Sequence, residues 1–197
     1  MLKNKKIGIG ITGSFCSMKP LLLFLKELND HGVDLYVFLT DEVLNYDTRF
    51  FKHQHLISQI KEYTKHPLIT HIVDAEPFGP VIQLDLMIVY PCSGNTLAKL
   101  THGINDNAVT MAVKATLRNN RNIVIGLCSN DALSTSGVNF MQLMNTKHFY
   151  FMPMYQDDTI KKPNSLLTEY TLGIQTIVNA LNDHQIQPIF ITHKRER

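Results

Sequence analysis

Tryptophan is absent from the 197 residues, and cysteine occurs only three times, at Cys16, Cys92 and Cys128. An odd count with neither a CxxC pair nor a Cys/His zinc spacing argues against a disulfide framework and points to a reducing compartment. Charge of one sign is scarce as well: 19 Lys and Arg oppose 17 Asp and Glu, a formal net charge of +2. So weak a field gives no reason to expect nucleic acid or a membrane surface as partner. The one basic cluster, Lys194-Arg195-Glu196-Arg197, reads as a frayed, solvated terminus. No apolar run reaches the ~20 residues of a membrane span. Met1-Leu2-Lys3-Asn4-Lys5-Lys6 leads into a strand-like run with glycines rather than an apolar signal core. A cytoplasmic protein is the expectation. No metal is expected either: His53 and His55 flank Gln54 without a carboxylate to complete a site, and the other histidines are scattered.

What is present is an alternation of strand-like and helix-like segments. Hydrophobic residues form 44% of the chain, enough for a sizeable core, and residues 1–197 read as one domain. Strands are expected over 6–12, 33–40, 84–90, 122–127 and 148–152, with Pro91 stopping the third. Helices are expected over 19–31, 51–66, 96–102, 108–119 and 136–145, with a closing helix over 166–182. Residues 75–83, with Pro77, Gly79 and Pro80, read as a surface loop. Continuous apolar strands alternating with helices predict an α/β fold: a Rossmann-like, doubly wound parallel sheet covered on both faces.

In such a sheet ligands collect where strands end and helices begin. The first end is Gly8-Ile9-Gly10-Ile11-Thr12-Gly13-Ser14. It matches GxGxxG, but Gly8 and Gly10 fall inside the strand, so the informative part is Thr12-Gly13-Ser14 with Ser17. A tight glycine turn brings backbone amides near an anion, and hydroxyls donate to phosphate oxygens. The alternative is a plain turn with Ser17 as helix cap. Thr40-Asp41 ends the second strand, where Asp41 suits either a nicotinamide ribose or a cap. Pro91-Cys92-Ser93-Gly94-Asn95-Thr96 opens a helix with small polar residues, and Cys92 is either a packed or an activated thiol. Gly103-Ile104-Asn105-Asp106-Asn107 adds capping groups, and Ser129 and Asn130 follow the fourth strand. Lys161 and Lys162 lie in a mixed-charge loop after Gln156-Asp157-Asp158, suited either to a dicarboxylate or to solvent.

Pro91-Cys92-Ser93-Gly94-Asn95-Thr96, Ala98-Lys99 and Gly103-Ile104-Asn105-Asp106-Asn107 together resemble the "PxSANT … AK … GxxDN" run of the flavin-dependent cysteine decarboxylase family. Residues 107–121, Ser129-Asn130-Asp131-Ala132-Leu133, Lys161-Lys162-Pro163-Asn164-Ser165 and Ala75-Glu76-Pro77 are similar to the dipicolinate synthase B-subunit family of bacteria, over nearly the whole chain. The resemblance implies a Rossmann-like flavoprotein that binds FMN. It also implies a dehydrogenase-like A subunit using NADP or NAD, a small dicarboxylate substrate and a trimer-based homo-oligomer. Thr12, Gly13, Ser14, Ser17, Thr40, Ser93, Gly94, Thr96, Asp106, Asn107, Ser129 and Asn130 would then hold the cofactor. Asn95, which matches the family's substrate-contacting asparagine, is the catalytic candidate, and Asn95, Lys161 and Lys162 would meet the substrate carboxylates. Two departures count against decarboxylation. Residues 40–46 contain no histidine where the decarboxylases carry a catalytic one, Asn45 falling near that place, and no cysteine-containing substrate clamp follows. Gly94 replaces the usual alanine. The rival readings are a flavin-dependent decarboxylase or prenyltransferase, and a non-catalytic scaffold for the A subunit.

Overall fold

Ile7, Ile9 and Ile11 project to one side of the first strand while Gly8 and Gly10 leave the other side bare, and this asymmetry shapes the molecule. The computed structural model describes residues 2–192; the basic cluster at 194–197 lies outside them. In chain order the elements are β1 (Lys6–Ile11), α1 (Met18–Asp30), β2 (Asp34–Leu39), α2 (Asp41–Asn45), α3 (His53–Lys61), α4 (Ile72–Ala75), β3 (Leu86–Cys92), α5 (Gly94–Thr101), α6 (Ala108–Arg118), β4 (Asn122–Leu127), α7 (Gly137–Met144), β5 (Phe149–Phe151), β6 (Met154–Gln156), β7 (Leu166–Thr168) and α8 (Gly173–Ala180). Five parallel strands form one sheet in the order β2-β1-β3-β4-β5, and β6 and β7 form a separate antiparallel pair.

Helices cover both faces. On one, Ile7, Ile9, Ile11 and Val37 pack against Leu21, Phe24 and Leu25 of α1 and Ile177 of α8. On the other, Met87, Val89, Ile123 and Ile125 meet Val109, Ala112 and Val113 of α6. Each fully buried side chain of this kind contributes about 1.5–3 kcal/mol. A Cβ on Gly10 would meet Val109 Cγ1 at 2.5 Å, and one on Gly8 would meet Met87 Sδ at 2.6 Å. These glycines therefore admit α6 and Met87 to the sheet and hold no phosphate.

Four segments differ from expectation, each for a tertiary reason. The helix expected over 51–66 stops at Lys61, because the next residues are drawn onto β2: Thr64 Oγ1 donates to Leu35 O at 2.7 Å, and His66 stacks on Tyr36 at 3.9 Å. Pro91 lies within β3 rather than ending it, since the strand continues to Cys92 through a register shift after Val89. Residues 75–83 are not simply a surface loop: they begin in helical turns that bury Ala75 and Phe78, the Phe78 ring lying edge-on to Phe38 at 4.9 Å. The closing helix is confined to Gly173–Ala180. Leu166–Thr168 instead forms β7, which pairs with β6 while Leu166 exchanges backbone hydrogen bonds with Ser129 at 3.0 and 3.1 Å. Among the described residues no helix is long and apolar enough to cross a membrane.

Candidate functional site

The chain runs from β1 outward to β2 and then crosses back to β3, so the strand order reverses between β1 and β3. A crevice outside the carboxyl ends of the strands is expected at such a switch point. A cleft of about 480 Å³ lies there, walled by Gly13, Ser14, Ser93, Gly94, Ser129 and Asn130. A side lobe of about 200 Å³ shares Gly13, Phe15 and Ser93 with it and adds Thr40, Glu42, Asn95, Thr96, Lys99 and Asn107. A separate hollow of about 380 Å³ opens among Lys5, Asp85 and Asn122 at the other end of the strands.

The turn residues divide into those that build the cleft and those that face it. Thr12 builds it. Its hydroxyl donates to Pro91 O at 2.7 Å and accepts from Ser93 N at 2.9 Å, and the residue is 1% exposed. It stitches β1 to β3 and has no free donor for a phosphate. Ser14 Oγ donates to Cys128 O at 2.8 Å, which ties the first turn to the end of β4. Ser17 is buried and makes no side-chain cap to α1; it lines a smaller hollow with Cys16 and Lys162 instead. Ser93 caps α5 by accepting from Thr96 N at 3.3 Å. Asn107 caps α6 in a capping box with Thr110, while Asp106 is bound to Lys99 at 2.7 Å and does not line the cleft or its lobe. Ser165 Oγ and Asn130 Oδ1 lie 3.4 Å apart, which sets Asn130 beside the β7 segment.

Two features suit a phosphate-bearing planar ligand. Thr40 is 3% exposed, and its Oγ1 is buried with no hydrogen-bond partner among the described residues while it lines the side lobe. A buried hydroxyl left unpaired costs about 1–3 kcal/mol, so an incoming acceptor there recovers free energy. The first turn of α5 begins at Gly94, where helix amides lack intrahelical partners; Gly94 borders the main cleft with no side chain of its own, packed against Ser129, Asp131 and Ser136.

Residues 1–183 match the family model described as Flavoprotein. The chain belongs to the flavoprotein family. It is 42% identical to the dipicolinate synthase B subunit of Bacillus subtilis over 96% of this chain and 95% of that protein. The crystal structure of the dipicolinate synthase B subunit from Bacillus halodurans superposes with a TM-score of 0.90 at 39% identity, covering 98% of this chain and 99% of that one. The FMN-dependent cysteine decarboxylase SpaF shares the fold, with a TM-score of 0.67 at 21% identity over 93% of this chain and 98% of its own.

In this flavoprotein Lys162 reaches the cleft, paired with Asp157 at 2.7 Å, but Lys161 does not; the Lys161 backbone N–H donates to Asp158 Oδ1 at 2.9 Å and its side chain is exposed. Asn95 is exposed on the rim of the side lobe. Cys92 is fully buried, and burial pushes its thiol well above the usual range, so it packs rather than reacts. Burial also pushes the Cys128 thiol up to about 11, with hydrogen bonds from Ser17 and Thr168 opposing that rise.

Phe15, Cys16, Arg49, Phe50 and Asp131 also line the cleft, and sequence reading gave them no role. Asp131 accepts hydrogen bonds from Ser129 Oγ and from Ser136 Oγ, the latter at 2.9 Å. Its signal was a carboxylate two residues from a predicted site serine. Arg49-Phe50 stood in an irregular stretch after the second strand, where a cation beside an exposed aromatic was the available clue.

Proposed function

We propose that this flavoprotein is the B subunit of a dipicolinate synthase, an oxidoreductase subunit with FMN as cofactor. The cleft at the β1/β3 switch point carries this reading, in a chain that parallels a dipicolinate synthase B subunit over nearly its whole length. Thr40, Thr96, Asn107 and the α5 amides would take the phosphate end. Gly94, Ser129 and Asn130 would border the ring, and Thr12 and Ser14 keep the three strand ends at fixed spacing. Bound there, FMN would supply a two-electron acceptor for ring oxidation of a dihydro- or hydroxytetrahydrodipicolinate. Lys162 and Asn95 would orient the substrate carboxylates by charge and hydrogen bonding. Among the described residues no histidine lines the cleft or its lobe, and residues 40–46 carry none where the decarboxylases have a catalytic one, which favours this chemistry over their decarboxylation. The reading includes an A subunit that brings NADP or NAD, and a trimer-based homo-oligomer.

The first test is an absorption spectrum of the purified protein before and after adding FMN. Visible flavin bands that co-elute with the protein are expected. Protein that stays colourless and takes up no FMN would refute the cofactor assignment and leave a scaffold for the A subunit as the better account.

A further inference from the structure

The cleft holds a cation that the turn residues do not account for. Arg49 lies between α2 and α3, beyond the end of β2, and lines the same cleft as Lys162. Lys162 arrives from the other side of the switch point, in the segment leading to β7, whose Leu166 pairs with Ser129 after β4. Among the described residues Lys162 is paired with Asp157, and Asp131 is engaged by Ser129 and Ser136. Arg49 makes no ion pair among them; its guanidinium lies 4.8 Å from the centre of the Phe50 ring. Phe50 is itself 51% exposed.

The segment that presents this pair is a built turn. Thr48 Oγ1 accepts from Phe50 N at 3.1 Å and from Phe51 N at 3.3 Å, and Thr48 N donates to Phe51 O at 3.0 Å. Asp47 closes the outer side, accepting from Lys52 Nζ at 2.8 Å and from His53 N at 3.1 Å. Phe51 packs edge-on against Phe15 of the first turn at 5.9 Å. A turn so tied holds an exposed arginine and an exposed ring at the cleft with little ordering left to do on binding.

We propose that Arg49 is a specificity-determining residue that anchors one carboxylate of a planar ring dicarboxylate. Phe50 offers an apolar surface beside the ring, and Lys162 takes the second carboxylate. A guanidinium suits a carboxylate because its fork makes two parallel N–H···O bonds. The proposal rests on the dipicolinate reading above and extends it to how the substrate class is recognised.

The test is calorimetric titration of the full-length, FMN-supplemented protein with dipicolinate and with its monocarboxylate analogue picolinate. Wild type should bind dipicolinate more tightly than picolinate. R49A should weaken dipicolinate binding roughly 10- to 100-fold, the span expected for charge-assisted hydrogen bonds, and should erase the preference over picolinate. R49K should recover part of it. FMN affinity, measured separately, should be unchanged in R49A. The charge control K147A lies at the amino end of β5, away from the cleft, and should behave as wild type. If R49A binds dipicolinate as wild type does, the Arg49 assignment is wrong and the reading of the cleft survives. If wild type takes up FMN but binds dipicolinate no better than picolinate, the carboxylate anchor and the dipicolinate reading both fall.

Discussion

Replacing Gly94 by alanine probes the tightest point of the site. A Cβ there would stand 2.7 Å from Ser136 Oγ, 2.8 Å from Ser129 Oγ and 2.9 Å from Asp131 Oδ1. These atoms cannot yield one at a time, because both hydroxyls donate to the same carboxylate. Turning that carboxylate aside breaks at least one hydrogen bond to a charged group, worth about 1.5–3 kcal/mol. Against this, a glycine-to-alanine change in a helical position contributes about 0.4–1 kcal/mol through the unfolded chain. The expected net loss is roughly 1.5 kcal/mol, or a melting temperature lower by about 3–6 °C for a chain of this size. Chemical denaturation followed by circular dichroism measures it. In a background carrying S129A and S136A the carboxylate is free to rotate, and adding G94A should then be neutral or slightly stabilising. A G94A cost that is the same in both backgrounds would show that the network is not what opposes the methyl group. No cost in wild type would refute the close contact itself. Alanine is the usual residue in the decarboxylase run that this chain resembles, so the result also shows whether the Asp131 network and the glycine depend on each other.

Four further outcomes follow from the same geometry. T40V should stabilise the flavin-free protein by up to ~1 kcal/mol while weakening FMN binding about fivefold, because an unpaired hydroxyl is removed from one state and a hydrogen bond from the other; effects of the same sign in denaturation and flavin titration would contradict this. T12V should cost about 2–3 kcal/mol by leaving Ser93 N and Pro91 O without partners, and T12S should restore most of it; a neutral T12V in thermal melts would refute the stitch. At pH 8 native protein should show one fast thiol towards Ellman's reagent, Cys16, and three in denaturant, because Cys92 and Cys128 are buried; a second fast native thiol would refute that burial. Burial pushes Asp85 up, but hydrogen bonds from Lys5 Nζ and Lys6 N, with the charge of Lys5, bring it below the ordinary carboxylate range. A depressed folded value means stabilisation that is present above about pH 4 and lost as pH falls through it. D85N should therefore be less stable than wild type at pH 7, with the gap closing in acid; a gap that persists in acid would contradict it.

The sheet was legible because its strands are short continuous apolar runs whose neighbours are helices with apolar faces at helical spacing. Lys6–Ile11, Asp34–Leu39 and Asn122–Leu127 fall within a residue of the runs read for them. The same logic located the cleft, since any open parallel sheet collects ligands beyond its strand ends, and Gly13, Ser93, Gly94, Ser129 and Asn130 do meet there. Local reading failed where a distant partner chose between two locally acceptable states. Leu166-Leu167-Thr168 suits a helix as well as a strand, and only the edge offered by Ser129 and β6 decides for the strand.

That choice has consequences for the site. Because Leu166 pairs with Ser129, the preceding segment crosses beside the end of β4 and carries Lys162 into the cleft, while Lys161, one residue earlier, is left outside. A continuous helix from residue 166 would not form this pairing. Thr12 shows the complementary case: the residue type was the right clue to a polar strand end, yet its hydroxyl is consumed holding β1 to β3. Hydroxyl-rich turns at a switch point therefore contain two populations, those that join the strand ends and those left over for a ligand. Only hydrogen-bond accounting separates them. In this flavoprotein that accounting assigns Thr12 and Ser14 to joining the strand ends and leaves Thr40 with an unspent donor.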